Sequence, residues 1–425
     1  MRRDHTGQFD PENQYFYIEN INDNTSGYYK CSLMRKTTSA PIVTVYVSTD
    51  TVNWTAYTMG SSSSELSLHL FKYANERLYI KGNVSRYATS TTDYHYWRME
   101  GEFNIGGNFL SLFYGDDFKG RHTFPTADYA AIRMFCGDVD TTNANKLKSA
   151  ENLVIPVNTM GTYSIADLFA ARNGLVKGPK KLPATVLGNY CYQYMFKNCT
   201  ALTQAPVLPA TTLAPYCYRY MFIGCSALTQ APVLPATTLA TYCYQYMFQN
   251  CTGLTQPPAL PATTVVDYCY QSMFQGCTKL TTSPDLPATT IASYCYASMF
   301  MGCSRLDLKD GYKLPASTLA KNCYQYMFKN CTSLRYSPYL RAKTLVSNCY
   351  TQMFYGCVEL CQIYALFNTT PSTTYTNGWV TNVPTYPPSL GGATPGTFYK
   401  NKEATWSVSG NNGIPTKWNE VLVTK

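Results

Sequence analysis

Cysteine is the residue type in this sequence with the greatest capacity for chemistry. The 425 residues include 17 cysteines, and most of them occur in pairs with the spacing C-x7-C, as in CYRYMFIGC from Cys217 to Cys225. On a helix this spacing separates the two thiols by about 12 Å, whereas a disulfide requires Cα atoms within about 7 Å. We therefore predict two ladders of buried thiols, with disulfides between successive copies as the less favoured alternative.

Metal binding and catalysis have little support in the sequence. The C-x7-C spacing is unsuited to zinc, and the histidines lie outside the segments that contain it. Asp116 and Asp117 are adjacent, so on a strand their carboxylates point to opposite faces and do not form an acid/base pair. The run Ser61–Ser64 has no G-x-S-x-G setting, and the cysteines have no repeated His or Asn partner. We therefore predict that the protein is not an enzyme and holds no cofactor and no metal.

The composition argues against two classes of partner. The net charge of +9 is mild for this length, and the densest basic cluster is KGPKK at 177–181, which is too small to predict nucleic-acid binding. The opening residues MRRDHTGQFDPENQYFYIEN lack the apolar segment of a secretory signal, and no later stretch has the length of a membrane span. We therefore expect a preference for acidic surfaces, no nucleic-acid partner and no membrane insertion.

The cysteine pairs are part of a longer repeat. Successive regular copies are separated by 26 residues, except for one step of 28 residues. Self-similarity at such a period is typical of a solenoid, in which each copy buries its apolar face against its neighbours. The regular copies begin at Cys191, Cys217, Cys243, Cys269, Cys295, Cys323 and Cys349.

Each copy has two halves with different patterns. The apolar residues of CYRYMFIGC lie at i, i+4 and i+8, which predicts about two turns of helix with an apolar face. The second half, ALTQAPVLPATTLA, contains too much Pro and Thr for a helix and predicts a short strand. On that strand Leu234 and Pro232 point inward, whereas Ala231 and Val233 point outward.

These two halves resemble the BspA-like branch of leucine-rich repeats. MFIGCSAL at 221–228 and VLPATTL at 233–239 match the helix half and the strand half of such a repeat. Two weaker copies precede the regular ones: one has Arg172 at the cysteine position, and the other contains Cys136. The resemblance covers about 134–360. It implies an α+β leucine-rich-repeat solenoid with a short strand and a short helix in each repeat.

The rest of the chain divides into further segments. Residues 1–28 are polar, and we expect an arm or docking segment with little core of its own. Residues 29–125 contain short alternating runs, which predict a small β-sandwich domain. We place the repeat solenoid at 126–367 and a loop-rich C-terminal cap at 368–425. The cap has three tryptophans that anchor it or, as the alternative, bind sugars, namely Trp379, Trp406 and Trp418.

The expected β-sandwich carries a resemblance of its own. VSTDTVNW at 47–54 and GNFLSLFYGDDF at 107–118 are similar to phrases that precede BspA-like repeats in proteins of Bacteroides-type gut bacteria and in the virions of their phages. This resemblance implies a component of the virion surface, such as a tail or fibre protein, which is assembled in the host cytoplasm. The alternatives are an adhesin on the bacterial cell surface and a purely structural virion protein.

Comparison among the copies indicates where a partner binds. The apolar positions hardly vary, whereas the outward position of Val233 changes along the chain and lies on a face that suits a protein or a polymer. The alternative is neutral variation on a solvated face. We predict that the distal repeats bind a bacterial surface protein or glycan, and that the N-terminal region binds other virion proteins; a homo-oligomer is left open. The candidate partner-binding residues are Asp285, Lys309, Tyr312, Lys313, Arg335, Tyr336 and Tyr339.

Overall fold

The structure is a computed structural model that describes residues 10–137 and 144–424. It divides into two compact units, Met1–Ala210 with Gly224–Leu228 and Thr211–Ile223 with Thr229–Lys425. Both units contain copies of the repeat. No helix in the described ranges has the length and apolar character that a membrane span requires.

The first unit contains a β domain with two sheets. Its strands are β1 Phe16–Asn20, β2 Tyr29–Arg35, β3 Thr44–Ser48, β4 Thr55–Thr58, β5 Glu65–Phe71, β6 Arg77–Gly82, β7 His95–Met99, β8 Phe103–Asn108 and β9 Leu147–Val154. The larger sheet has the order β4-β3-β6-β1-β8-β9, and the smaller sheet has the order β5-β2-β7. β8 and β9 pair in parallel, and the other neighbours pair antiparallel. The short helices are α1 Ser111–Tyr114 and the 3-10 turns Pro11–Asn13 and Gly115–Phe118.

Aromatic side chains connect the two sheets of this domain. The rings of Phe16 on β1 and Trp97 on β7 have centroids 6.2 Å apart, and both side chains are fully buried. Phe16 also contacts Phe109 at 6.3 Å and Phe135 at 5.8 Å. A β domain built from sheets at this place in the chain is consistent with the predicted β-sandwich.

The prediction of an N-terminal arm with little core is wrong for the described part of residues 1–28. β1 lies inside the larger sheet and pairs with β6 on one side and with β8 on the other. Phe16, Tyr17 and Ile18 are buried, and Phe16 packs against Trp97 of the smaller sheet. The polar residues around QYFYIEN concealed this strand, while residues 1–9 of the expected arm lie outside the described residues.

The weaker copies of the repeat stack with the first regular copy in the first unit. The ring centroids of Phe135 and Phe169 are 5.7 Å apart, and those of Phe169 and Phe196 are 5.5 Å apart. Tyr163 and Tyr190 stack at 4.5 Å with an angle of 3° between their planes. The alignment of the weak copies with the regular repeat is therefore confirmed within this unit.

The expected helix of each repeat does not form. In the second unit the N–H groups of Tyr244, Tyr246 and Phe248 donate to carbonyl groups of the next copy, while the N–H groups between them donate to carbonyls three residues earlier. A left-handed backbone conformation recurs every fourth residue, at Tyr242 (φ 61°), Tyr246 (φ 58°) and Asn250 (φ 58°). An α-helix would keep every N–H within the segment and every φ negative. Apolar residues at i, i+4 and i+8 fit this ribbon of turns as well as they fit a helix, so the pattern misled the prediction.

In the strand half of the repeat, the buried and exposed residues are those that the sequence predicts. Leu234 is 2% exposed and Pro232 is buried, whereas Val233 is 79% exposed. Regular strands are absent from the middle copies of the described second unit, which touch through isolated bridges such as Gln230–Gln256. Proline causes this difference, because it has no N–H with which to extend a ladder.

Regular strands form in the second unit where another residue replaces the repeated proline or where a register shift accommodates it. They are β10 Lys313–Leu314, β11 Tyr336–Leu340, β12 Gln362–Ala365, β13 Thr397–Asn401 and β14 Asn419–Val423. They form one parallel sheet in the order β10-β11-β12-β13-β14. Tyr312 and Ile363 stand where Pro232 stands in its own copy, and β11 keeps Pro338 but has a register shift between Tyr336 and Tyr339.

The C-terminal segment is not only the loop-rich cap that we predicted. It contains α2 Thr373–Thr376 and a 3-10 turn at Pro388–Leu390, and β13 and β14 extend the parallel sheet. Its Thr-, Pro- and Gly-rich composition concealed these two short strands. The indole N–H groups of the three tryptophans donate to backbone carbonyls, and all three side chains are buried, which fits the anchoring role and leaves no exposed ring for a sugar; they are Trp379, Trp406 and Trp418.

Candidate partner-binding face

The thiols are not available for chemistry. None of the 17 cysteines, all of which lie in the described ranges, forms a disulfide, and every one is buried. The prediction of buried thiol ladders is therefore confirmed. Burial raises the pKa of Cys243 and of Cys303 to about 12, so these groups stay protonated and are poor nucleophiles.

The second cysteine of each copy has a structural role that the sequence did not reveal. The Cys251 thiol donates to the carbonyl oxygen of Phe222, one repeat earlier, at 3.0 Å, and Cys277 donates to Phe248 in the same way at 3.1 Å. In the first unit, Arg172 occupies the cysteine position of a weak copy. Its Nε donates to the equivalent carbonyl of Phe135. The position therefore supplies a hydrogen-bond donor to a buried carbonyl.

The Asp116–Asp117 pair is not an acid/base site. Asp116 accepts hydrogen bonds from Lys81 Nζ at 2.7 Å and from the Tyr15 hydroxyl at 2.6 Å. The Lys81 hydrogen bond and then the Tyr15 hydrogen bond hold the pKa of Asp116 below its ordinary value, so this carboxylate stays ionised and paired. No cluster of three or more His, Cys, Asp or Glu side chains suited to a metal occurs in the part of the chain that the structure describes.

Lys313 and Tyr339, two of the predicted binding residues, lie on one outward row of the parallel sheet. Lys313 pairs in register with Tyr339, Tyr339 with Tyr364, and Tyr364 with Tyr399. The ring centroids of Tyr339 and Tyr364 are 4.2 Å apart, and those of Tyr364 and Tyr399 are 4.4 Å apart. We name Tyr339, Tyr364 and Tyr399 the tyrosine row. Sequence reasoning missed Tyr364 and Tyr399, because both follow the last regular copy.

A second outward row runs beside the tyrosine row. Tyr336 pairs in register with Gln362, and Gln362 pairs with Thr397. Next to this row the exposed Arg335 binds the carboxylate of Asp307 through its Nη2 at 2.6 Å. The Arg335 guanidinium also lies 5.4 Å from the ring centroid of Tyr336. The structure thus brings four predicted residues to this end of the sheet, namely Lys313, Arg335, Tyr336 and Tyr339.

The remaining predicted residues lie elsewhere. Tyr312 stands at an inward position, and its hydroxyl donates to the Pro284 carbonyl oxygen at 2.7 Å. Burial raises the pKa of Tyr312 above its ordinary value, which fits an internal role rather than contact with a partner. Asp285 is exposed and lines a proline-rich groove of about 390 Å³. Lys309 is exposed, and the tyrosine row does not include it.

The tyrosine row presents ring edges and hydroxyl groups rather than ring faces. The planes of Tyr364 and Tyr399 are 6° from parallel, so each ring covers a face of its neighbour. The Tyr364 hydroxyl lies 3.0 Å from Gln362 Oε1 and 3.4 Å from Asp310 Oδ1. Desolvation, followed by the Asp310 charge, raises the pKa of Tyr364, so its hydroxyl stays a donor at neutral pH. The Tyr364 hydroxyl donates within its own chain and can accept a hydrogen bond from a flat partner, whereas the covered rings of the row suit sugar stacking poorly.

The ribbon of turns in the second unit has its own outer column of tyrosines, which sequence reasoning also missed. Tyr216, Tyr242, Tyr268 and Tyr294 stack at 4.6, 4.5 and 4.7 Å. The Arg219 guanidinium lies 5.4 Å from the ring centroid of Tyr216 and 5.9 Å from that of Tyr242. The recurrence of Tyr directly before the first cysteine in five successive copies was the available signal. Each of these tyrosines is partly exposed, so the column provides a comparison for the tyrosine row.

The comparisons with known proteins address the repeat. A family model described as a BspA type leucine-rich repeat region of six copies matches this chain over residues 186–307 and 268–377. These ranges contain β10, β11 and β12, and thus the contact between Tyr339 and Tyr364. No curated protein and no solved structure matches the chain.

Proposed function

We propose that this chain, in which residues 186–377 match a BspA-type leucine-rich repeat region, is a non-enzymatic adhesion or recognition protein. Repeats of this family generally serve protein interaction rather than catalysis. The buried, protonated thiols and the paired Asp116 support the non-enzymatic part of the proposal. We also propose that the stacked copies make up the predicted solenoid, since copies within each unit donate hydrogen bonds to the next copy of that unit.

The observation that carries the proposal is the outward face of the parallel sheet. It combines the tyrosine row with Lys313 and the polar row that begins at Tyr336. Tyrosine supplies a large contact area and a hydroxyl group at a low cost in side-chain entropy, and it is enriched at binding hot spots. A bacterial surface protein that lies flat across several strands is the partner class that this face favours.

A virion is our proposed setting. Support comes from the phrases at 47–54 and 107–118, which resemble those of phage virion proteins. In this proposal the β domain attaches the protein to other virion proteins, and the distal repeats contact the bacterial surface. An adhesin of the bacterial cell surface is the second candidate, because BspA-like repeats also occur there. Mass spectrometry of purified phage particles, beside fractionated host cells, distinguishes the two settings.

Paired alanine substitutions test the binding face. We expect Tyr339→Ala with Tyr364→Ala to weaken binding of the labelled protein to host cells by at least about tenfold. The matched control is Tyr242→Ala with Tyr268→Ala, which removes two stacked, partly exposed tyrosines from the ribbon of turns. The control should bind like the parent. Equal binding by the parent and the Tyr339/Tyr364 variant, with both folded by circular dichroism, contradicts the proposal.

A further inference from the structure

The strand at the outer edge of the parallel sheet is unusually exposed. β14 has the sequence NEVLV, and four of its five residues are exposed while the fifth is partly exposed. Val421 is 38% exposed and Leu422 is 57% exposed, although they lie on opposite faces of the strand. Leu422 shares its face with the buried Phe398 and Lys400 of β13, so an apolar residue on the core side lacks cover.

Along β14, the backbone N–H and C=O groups of successive residues point alternately toward β13 and toward the outer edge of the sheet. The N–H of Asn419 and the carbonyl of Val423 both bond to residues that flank β13, so residues 419, 421 and 423 face that strand. In a parallel ladder the intervening residues direct their N–H and C=O groups the other way. Glu420 and Leu422 thus offer two donors and two acceptors at the outer edge, and within residues 10–137 and 144–424 no strand receives them.

Three of the other sheet edges in the described ranges carry features that discourage pairing. β4 has the sequence TAYT, with no large aliphatic residue, and β10 is only two residues long. The edge of β9 is bridged to Lys177 at Ser149. β14 has no proline, no lysine and no bulge, and three of its five residues are aliphatic. Such an edge is a template for another strand.

We propose that β14 pairs antiparallel with β14 of a second copy of this chain, around a two-fold axis at Val421. In this register Glu420 lies opposite Leu422 of the second copy, and these are the residues with outward backbone groups. The pairing therefore makes four backbone hydrogen bonds and covers Leu422 on both chains.

Charge disfavours one of the two neighbouring registers. A two-fold axis at Glu420 places two carboxylates directly opposite each other, which is unfavourable. With the axis at Val421, each Glu420 keeps its ion pair with Lys400 of its own chain, where the atoms are 2.7 Å apart. A strand of an unrelated protein would lack this complementarity to NEVLV. A second copy of this chain is therefore the occupant that the edge sequence favours.

Cysteine crosslinking of the full chain tests the register. In the proposed dimer the two Val421 residues form a pair without backbone hydrogen bonds, with Cα atoms about 4.5 Å apart, which suits a disulfide. Val421→Cys should therefore give a covalent dimer after mild oxidation, since the native thiols are buried. Asn419→Cys is the matched control, because it opposes Val423 and the two new thiols lie roughly 13 Å apart. Equal crosslinking of the two variants, or none of Val421→Cys, overturns the proposal.

Sedimentation velocity tests the association itself. Five paired residues form a small interface, so we expect a dimer with a dissociation constant on the order of 10 µM for the parent chain. Leu422→Pro removes an outward N–H that β13 does not use, and it should leave a folded monomer. A parent chain that stays monomeric at about 100 µM, tenfold above that constant, overturns the proposal and assigns the edge to another protein. Dimerisation of a folded Leu422→Pro variant at the parent's strength overturns it as well.

Discussion

In the copy that begins at Cys243 the two cysteines differ in what their thiols do, and substitution by serine and alanine separates them. Cys251 donates to the carbonyl oxygen of Phe222 at 3.0 Å. The thiol of Cys243 donates to no carbonyl oxygen in the described part of the chain, although both cysteines are fully buried. We therefore expect serine and alanine to rank in opposite order at the two positions.

The magnitudes follow from the buried polar groups. Cys251→Ala removes the thiol donor to the Phe222 carbonyl, which costs about 0.5–1.5 kcal/mol beyond the lost packing of sulfur. Cys251→Ser retains an O–H donor at that place and should be about 1 kcal/mol more stable than the alanine variant. At Cys243 the order reverses, because serine buries a hydroxyl group without a carbonyl acceptor, at a cost of about 1–3 kcal/mol.

Urea unfolding followed by far-UV circular dichroism is the assay. Only the order of the unfolding midpoints is needed, so the comparison does not require two-state unfolding of a repeat protein. Cys251→Ser should unfold at a higher urea concentration than Cys251→Ala, and Cys243→Ser at a lower one than Cys243→Ala. The same order at both positions refutes the assignment of the second cysteine as a hydrogen-bond donor.

Three further outcomes are expected. A thiol reagent should label few cysteines in the native protein and nearly all after denaturation, and mass spectrometry that finds Cys–Cys crosslinks between copies contradicts the buried ladders. Phe248→Ala should lower the free energy of unfolding by about 3–5 kcal/mol, whereas Val233→Ser at an exposed position should cost well under 1 kcal/mol. Similar losses of stability in the two variants would contradict the assignment of Phe248 as buried and Val233 as exposed. Burial lowers the pKa of His95 from 6.5 to about 4, so protonation favours the unfolded chain. Stability should fall as pH drops through that interval, and a slope that persists in His95→Asn argues against His95 as its source.

The sequence predicts which residues are buried and which are exposed better than it predicts the backbone conformation. Leu234 and Val233 lie inside and outside as the alternation required, since burial follows hydrophobicity in any backbone of the right period. The ribbon of turns was not predictable, because tyrosine rarely adopts a left-handed conformation. Tyr242 adopts it where ring stacking with Tyr268 and hydrogen bonds between copies hold the chain. These are contacts between repeats, and no single repeat encodes them.

The candidate face was predicted in part for a similar reason. Tyr336 and Tyr339 differ from their counterparts in other copies, so comparison among the copies identified them. Tyr364 and Tyr399 lie beyond the last regular copy, and only strand register places them beside Tyr339. The strand β1 was missed because its neighbours come from residues 77–108, far along the chain. Its position in the sheet also makes deletion of residues 1–28 unsuitable as a test of attachment, since the deletion removes an inner strand.

In the second unit, the stacked repeats add very little length per residue. In the second unit the buried Phe248 and Phe274 rings are 5.7 Å apart, and the outer Tyr242 and Tyr268 rings are 4.5 Å apart. An advance of about 5 Å for 26 residues is roughly 0.2 Å per residue, against 1.5 Å per residue in a helix. Such a repeat is poorly suited to form a long stalk. Gain or loss of one copy would therefore change the length of a stack by only about 5 Å.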